Sequence, residues 1–273
     1  MKILLVNKYL YRKGGAETYF IKLGEYLKSL GNEVEYFGMA DERNCVGNRV
    51  EAYTENIDFH KKSLKHITYP FKIIYSVNAR KQIRKVLSDF KPDVVHLNNF
   101  NYQLTPSIIY EIKKHNIPIV YTAHDVQLVC PNHKLKNDYT DGLCRKCDGG
   151  KYFECVKNNC VHSSKIRSIL GAVEAWYYKL RHTYKMIDLT VCPSEFMEKE
   201  ISRNDDINGR TVTMYNFIDK IKPLGAECEN YVLYFGRYSE EKGISNLVKA
   251  AKKLSNIPFV FAGKGELENE VNS

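Results

Sequence analysis

Late in the chain comes the run Tyr231-Val232-Leu233-Tyr234-Phe235-Gly236-Arg237-Tyr238-Ser239-Glu240-Glu241-Lys242-Gly243. An apolar, β-prone stretch stops at a glycine. An arginine follows, then a lysine, then a second glycine that opens a helical pattern. The run spells strand, polar loop and helix start. Free backbone amides at a helix start favour an anion. A guanidinium can fork two phosphate oxygens, and a lysine adds a point charge. Arg237 and Lys242 therefore suit a diphosphate. The same run also fits an ordinary solvated βα loop, so the rest of the chain has to decide.

Three further groups of residues carry chemistry. Gly14-Gly15-Ala16-Glu17 lies between a strand and a helix, where glycines let backbone amides approach a ligand, or where a tight turn needs positive φ. His124-Asp125 ends a strand that reads as central, and ligands in open α/β sheets bind beyond such strand ends. There a histidine can donate to a sugar hydroxyl or stabilise developing charge, or simply cap a carbonyl. His96-Leu97-Asn98-Asn99 ends the neighbouring strand, so His96, Asn98 and Asp125 are candidates for acceptor contact, with loop packing as the alternative.

Eight cysteines are present, five of them between Cys130 and Cys160. Cys144, Cys147, Cys155 and Cys160 have a knuckle-like spacing that can hold Zn²⁺ tetrahedrally and staple a loop without a core. Cys130, His133 and His162 are spare candidate ligands. Disulfides or unligated thiols are the alternatives. A four-thiolate site is closed, so no catalytic metal is expected.

The elements that must position these residues follow from periodicity. Strands are expected at Lys2–Asn7, Val34–Gly38, Pro92–Leu97, Ile117–Thr122, Ile187–Cys192, Thr211–Tyr215, 231–235 and 258–262. Helices are expected near Glu17–Leu30, Phe71–Phe90, Pro106–His115, Ser164–Lys185, Ser194–Ser202 and 243–254. Strand and helix alternate, pause at 217–230 around Pro223 and Gly225, and restart. The expected fold is α/β: a doubly wound Rossmann-like domain over 1–216 with a cysteine-rich insertion at 126–164, a linker, and an incomplete second Rossmann-like domain over 231–273.

The chain has 273 residues, 44% of them hydrophobic and 27% charged, as in a globular domain. No apolar run approaches the ~20 residues of a membrane span, and the N-terminus lacks a signal-peptide pattern. A cytoplasmic location is expected. The net charge of +9 points to an anionic partner. Basic and aromatic residues interleave in Lys61-Lys62-Ser63-Leu64-Lys65, in Lys72 to Lys85 and in Trp176-Tyr177-Tyr178-Lys179-Leu180-Arg181. Such stretches either dock peripherally on the inner face of an anionic membrane or form solvated helix faces over buried aromatics.

Taken in order, Gly14-Gly15-Ala16-Glu17, Pro92-Asp93-Val94-Val95-His96, Thr122-Ala123-His124-Asp125, Pro193-Ser194-Glu195, Asn216-Phe217-Ile218-Asp219, Gly236-Arg237-x4-Lys242-Gly243 and Ala262-Gly263-Lys264-Gly265 resemble glycosyltransferase family 4. The resemblance spans nearly the whole chain. It implies a retaining enzyme of the two-Rossmann B architecture that uses a nucleotide-diphosphate sugar as co-substrate. It implies that Arg237 and Lys242 bind the donor diphosphate, with Gly14 and Gly15 beneath it, and that His124 contacts the transferred sugar. Asn216 and Asp219 match the segment that crosses between domains. Two departures stand out. Phe217 replaces the usual glycine, and the family's pair of glutamates eight residues apart does not occur; Glu266 and Glu270 are four apart and too early. The chain is thus expected to stop inside its second domain and to have doubtful activity alone.

The expected function is transfer of a sugar to a glycan or lipid-linked acceptor in cell-surface polysaccharide assembly. The alternatives are a non-catalytic module that needs a separate C-terminal chain, and a zinc-knuckle nucleic-acid binder. The last is disfavoured because the cations are scattered through an α/β scaffold and no nucleic-acid motif occurs.

Overall fold

The computed structural model describes residues 1–56, 73–137, 142–218 and 229–272. Lys61-Lys62-Ser63-Leu64-Lys65, Lys72, Asp219, Pro223, Gly225 and Cys228 lie outside the described residues. The chain divides into two compact units, Met1–Ile218 and Asp219–Ser273.

The first unit is built on a six-stranded, wholly parallel sheet in the order β2-β1-β3-β4-β5-β6. Its strands are β1 (Lys2–Val6), β2 (Glu33–Phe37), β3 (Val94–Leu97), β4 (Ile119–Thr122), β5 (Leu189–Cys192) and β6 (Thr211–Thr213). The connecting helices are α1 (Gly15–Ser29), α2 (Val77–Phe90), α3 (Ser107–Lys114), α4 (Phe153–Lys157), α5 (Lys165–Leu180) and α6 (Glu195–Ile201). A continuous apolar strand such as Lys2-Ile3-Leu4-Leu5-Val6 is buried on both faces, as a helix-covered parallel sheet requires. Leu4 and Val6 point into a core shared with Ile83, Val86 and Phe90 of α2. Ile3 and Leu5 point the other way, against Phe20 and Ile21 of α1. The alternation along one strand thus divides the two helical layers.

Local signals set several boundaries. Ser76 caps α2 by accepting from the Ala79 amide at 3.1 Å, which sets this helix's start at Val77; the expected start at Phe71 lies outside the described residues. Ser194 does the same for α6 through the Met197 amide at 3.2 Å. The segment expected as one helix to Lys185 ends at Leu180, with His182 left-handed at φ 47°. Between α2 and α3, the buried Glu111 carboxylate takes Arg80 at 2.9 Å and Arg84 at 2.6 Å. Those two bonds, Arg84's first, hold it at about 2. Two arginines of the basic α2 stretch are therefore engaged within the fold.

The second unit pairs β7 (Val232–Phe235) and β8 (Phe259–Ala262) in parallel around α7 (Ile244–Lys253), with a short α8 (Glu268–Val271). Tyr238, Ile244 and Val248 form its core. Leu233 and Phe235 remain 50% and 80% exposed, so this sheet presents an apolar face that two strands leave uncovered.

Candidate active site

In the first unit the strand order reverses between β1 and β3, and in a doubly wound sheet the crevice opens beyond the C-terminal ends of those strands. The chain knits this edge together past the strands. The Asn98 amide donates to the Val6 carbonyl at 2.8 Å, the Lys8 amide to Asn99 at 2.7 Å, and the Asn99 amide to the Asn7 side chain at 3.0 Å. β4 adds Ala123-His124-Asp125 at the same edge.

His124 is the best-defined group there. Its Nε2 lies 2.9 Å from Oδ1 of Asn98, an atom that can only accept, so the ring carries its proton on Nε2 and leaves Nδ1 as an acceptor. The tautomer follows from the partner. Burial lowers the imidazole to about 4 against the upward pull of Asp125, so the ring is neutral at pH 7. Asn98 is 1% exposed, and its Nδ2 donor has no partner, an uncommon condition for a buried amide. Tyr19 of α1 meets the His124 ring edge-on at 5.3 Å. Tyr19 also packs on Phe217 at 5.3 Å, and Phe217 reaches Tyr26 at 6.3 Å. The residue that departs from the family pattern is thus anchored on α1.

The other expected residues of this unit divide. His96 directs Nε2 to Thr122 Oγ1 at 2.8 Å within the sheet, and burial followed by the nearby His124 lowers it to about 4. Asp125 is tied to His133 at 3.3 Å and accepts from the Gln127 amide. Burial works to raise Asp125, but the bond and charge of His133 outweigh it and hold the carboxyl low. His133 stacks on Tyr102 at 5.7 Å. Lys8 lies over Tyr9 and Tyr102 and donates to Asn101 at 3.1 Å, with burial and then Lys13 lowering it to about 8. Glu174 is pushed by burial up to about 7. Sequence reasoning missed Lys8, Tyr19 and Glu174, and treated His133 only as a spare metal ligand. Lys8 and Lys13 bracketing the first strand-to-helix loop were the available signal.

Gly14 and Gly15 open α1. Gly14 is extended at φ −163°, so the positive-φ turn that would have explained a glycine there is not what the backbone adopts. Its carbonyl accepts from the amide and hydroxyl of Thr18. No side chain caps this helix, and a Cβ on Gly15 would meet nothing within 4 Å. The first-turn amides stand open apart from the buried Glu17 in that turn.

In the second unit, Arg237 is 67% exposed and pairs with Glu241 at 3.6 Å. Lys242 ends a 3-10 turn, Glu240–Lys242, that leads through the left-handed Gly243 into α7. Between the two cations Ser239 is buried, and its hydroxyl has no partner. Backbone approach is what requires glycine here. A Cβ on Gly263 would fall 1.9 Å from the Gly236 carbonyl oxygen, and one on Gly265 would fall 2.2 Å from that of Tyr238.

The five clustered cysteines Cys130, Cys144, Cys147, Cys155 and Cys160 line one small cavity. Burial, then the neighbouring Cys160, pushes the Cys155 thiol up. Burial, then the neighbouring thiols, pushes Cys147 up to about 12. Donor type and number suit a soft tetrahedral ion. Yet among the described residues no three His, Cys, Asp or Glu side chains are grouped to hold a metal. The sulfurs share a cavity without converging on one point.

Comparison with known proteins bears on the family and the fold. A 25%-identical relative, described as an uncharacterised 42.6 kDa protein in the cps region of Klebsiella pneumoniae, aligns over 97% of this chain and 68% of its own length. The structure of Anabaena HepE in complex with UDP superposes with a TM-score of 0.57 at 16% identity, over 99% of this chain and 63% of that one. Sucrose-phosphate synthase from Thermosynechococcus elongatus gives 0.58 at 16% identity, over 95% and 61%. The chain therefore spans less than two thirds of the length of these structural relatives, whose likeness establishes the Rossmann-like glycosyltransferase fold. The model of Glycosyltransferase Family 4 matches residues 13–221, well over half of the sequence, and the chain belongs to that family.

Proposed function

We propose that the chain takes part in transfer of a glycosyl group from a nucleoside-diphosphate sugar to a hydroxyl of a glycan or lipid-linked acceptor, with retention at the anomeric carbon, in cell-surface polysaccharide assembly. The observation that carries the reading is the neutral His124 at the crevice, its tautomer fixed by Asn98, together with an Arg237–Lys242 loop that holds an unpartnered buried hydroxyl. HepE's complex with UDP and the cps-region relative support the donor class and the setting.

In this reaction the bond between the anomeric carbon and the phosphate oxygen breaks, and its electron pair leaves on the diphosphate. The acceptor oxygen forms the new bond and gives its proton to the departing phosphate. Arg237 and Lys242 neutralise charge on the diphosphate, and Ser239 donates to it. On the first unit, the open start of α1 at Gly14-Gly15 offers amides to an anionic group. His124, being neutral, accepts a hydrogen bond from a sugar hydroxyl at Nδ1 rather than acting as a cation. Calorimetric titration with UDP and GDP, with Arg237→Ala and Ser239→Ala as comparisons, tests the donor role. Unchanged binding in both variants would remove the loop from the mechanism. Sugar transfer measured with and without His124→Ala tests the imidazole.

A second reading has its own observation. The exposed Leu233 and Phe235 face of the two-stranded sheet suits cover by a helical layer of a separate partner chain, and without that partner the described units would bind rather than turn over.

A further inference from the structure

Helix α5 presents an outer face that is both apolar and cationic. Its exposed apolar side chains are Ile166 (73%), Ile169 (42%), Val173 (41%), Trp176 (37%) and Leu180 (80%). They are spaced three, four, three and four residues apart, which aligns them in one stripe along the helix. The remaining exposed residues of α5 are Lys165 and Arg167, and Arg181 and Lys185 are exposed just beyond its end. Its single acid, Glu174, is half-buried, so this face shows no exposed carboxylate. The helix is fixed rather than loose: Ser168, Ala172 and Tyr178 are buried beneath it, and Trp176 donates to the Gly150 carbonyl at 3.0 Å. The adjoining α4 adds Phe153, 61% exposed.

Charge decides what covers such a stripe. Between Arg145 and Lys185 the sequence holds nine lysines and arginines against three carboxylates. A second copy of the chain is a poor occupant. Both ends of α5 are cationic, so parallel and antiparallel pairing alike would set like charges together. An acidic lipid surface complements both features: headgroups meet the cations, and the acyl boundary takes the apolar stripe with a tryptophan at interfacial depth.

We propose that the outer face of α5 docks this protein on an anionic membrane surface. The inference goes beyond the transfer reaction and stands or falls without it. Trp176 is the sole tryptophan of the chain, so its emission reports on the face directly. The whole protein is mixed with vesicles of phosphatidylcholine alone, or with about one third phosphatidylglycerol, in about 0.1 M salt. The expected result is co-sedimentation and a blue shift of Trp176 emission with the anionic vesicles only, reversed by high salt. Ile166→Ser with Leu180→Ser, and separately Lys165→Glu with Arg167→Glu, should each lower partitioning about tenfold or more. Both pairs are exposed, and circular dichroism checks that they fold. Leu254→Ser, an exposed apolar change in the second unit, should leave partitioning unaltered. Equal binding to neutral vesicles, no binding to anionic ones, or indifference to both double variants would overturn the proposal. So would a dimer in sedimentation equilibrium that Ile166→Ser with Leu180→Ser dissociates, because a second copy would then cover the face.

Discussion

Mild acid should weaken the first unit through the two histidines at its sheet edge, and the size of the effect can be worked out. His96 and His124 are held at about 4, against 6.5 for the free side chain. Across that window the unfolded chain binds more protons than the folded one. Stability is therefore whole above the upper value and falls as pH drops through it. Between pH 7 and pH 5, linkage gives a loss of about 2 kcal/mol for each ring taken alone. The two rings interact, so the sum of roughly 4 kcal/mol belongs to the pair. Glu174 runs the other way. Burial raises it to about 7 from an ordinary 4.5, so its cost is full above 7 and vanishes as pH falls. Over the same interval that returns about 2 kcal/mol. His133 also gains on acidification: burial pulls it down, but Asp125 lifts it above its usual value. Carboxylates held low, such as Glu111 at about 2, act below this window.

The test lies in differences between variants. Urea unfolding of the first unit, followed by Trp176 fluorescence at pH 7 and pH 5, should show His124→Gln and His96→Gln each reducing the acid loss by about 2 kcal/mol. Glu174→Gln should enlarge that loss by a similar amount. Parallel pH profiles for wild type, His124→Gln and Glu174→Gln would refute the reasoning, since they would mean that none of these groups changes its proton affinity on folding. Histidine ¹⁵N shifts give a second check. His124 should hold its proton on Nε2 at pH 7, and Asn98→Ala should release that preference.

Arg237→Ala should weaken UDP binding by calorimetry by about 1.5–3 kcal/mol, the range for a charge-assisted contact, and Ser239→Ala by about 1 kcal/mol. Gly263→Ala forces a Cβ into the Gly236 carbonyl and should destabilise the second unit by about 1–3 kcal/mol or more, read as faster hydrogen exchange across Val232–Val271 with the first unit unchanged. The cysteine cavity should bind one structural Zn²⁺ once χ1 rotation of the thiols brings four sulfurs together. Elemental analysis of reduced protein should give about one zinc per chain, lost in Cys144→Ser with Cys147→Ser. Zinc-free, fully folded protein would confine those thiols to packing.

What the sequence made legible was whatever depends on period and order. Lys2-Ile3-Leu4-Leu5-Val6 announces a doubly buried strand, and Ser194 announces the start of its helix. The parallel sheet then carries His124 and Asn98 to one edge without further information. What stayed hidden depends on which neighbour a side chain meets. Asp125 looked available to an acceptor, but its carboxylate is held by His133 from a loop whose path no periodicity fixes. His96 looked like its equal at the edge and instead spends its ring on Thr122. The cysteines were readable as a cluster, whereas the relative placement of their sulfurs within the cavity is something no spacing fixes.

The same distinction explains Tyr19, which no spacing singled out. It is one aromatic of a helix that also carries Phe20, and periodicity assigns Phe20 to the core. Tyr19 faces the other way, where His124 and Phe217 both reach it. That makes the departure at Phe217 intelligible. A glycine there would leave Tyr19 and Tyr26 without their shared partner, and the ring beside His124 would lose the support that fixes its position. Phe217→Gly should therefore act on the imidazole at one remove. His124 would keep its bond to Asn98, but its neighbour would gain freedom, and the buried environment that holds the ring at about 4 would loosen. An upward drift of the His124 titration in Phe217→Gly, read by ¹⁵N shifts, is the expected sign. An unmoved titration would show that Tyr19 alone is enough.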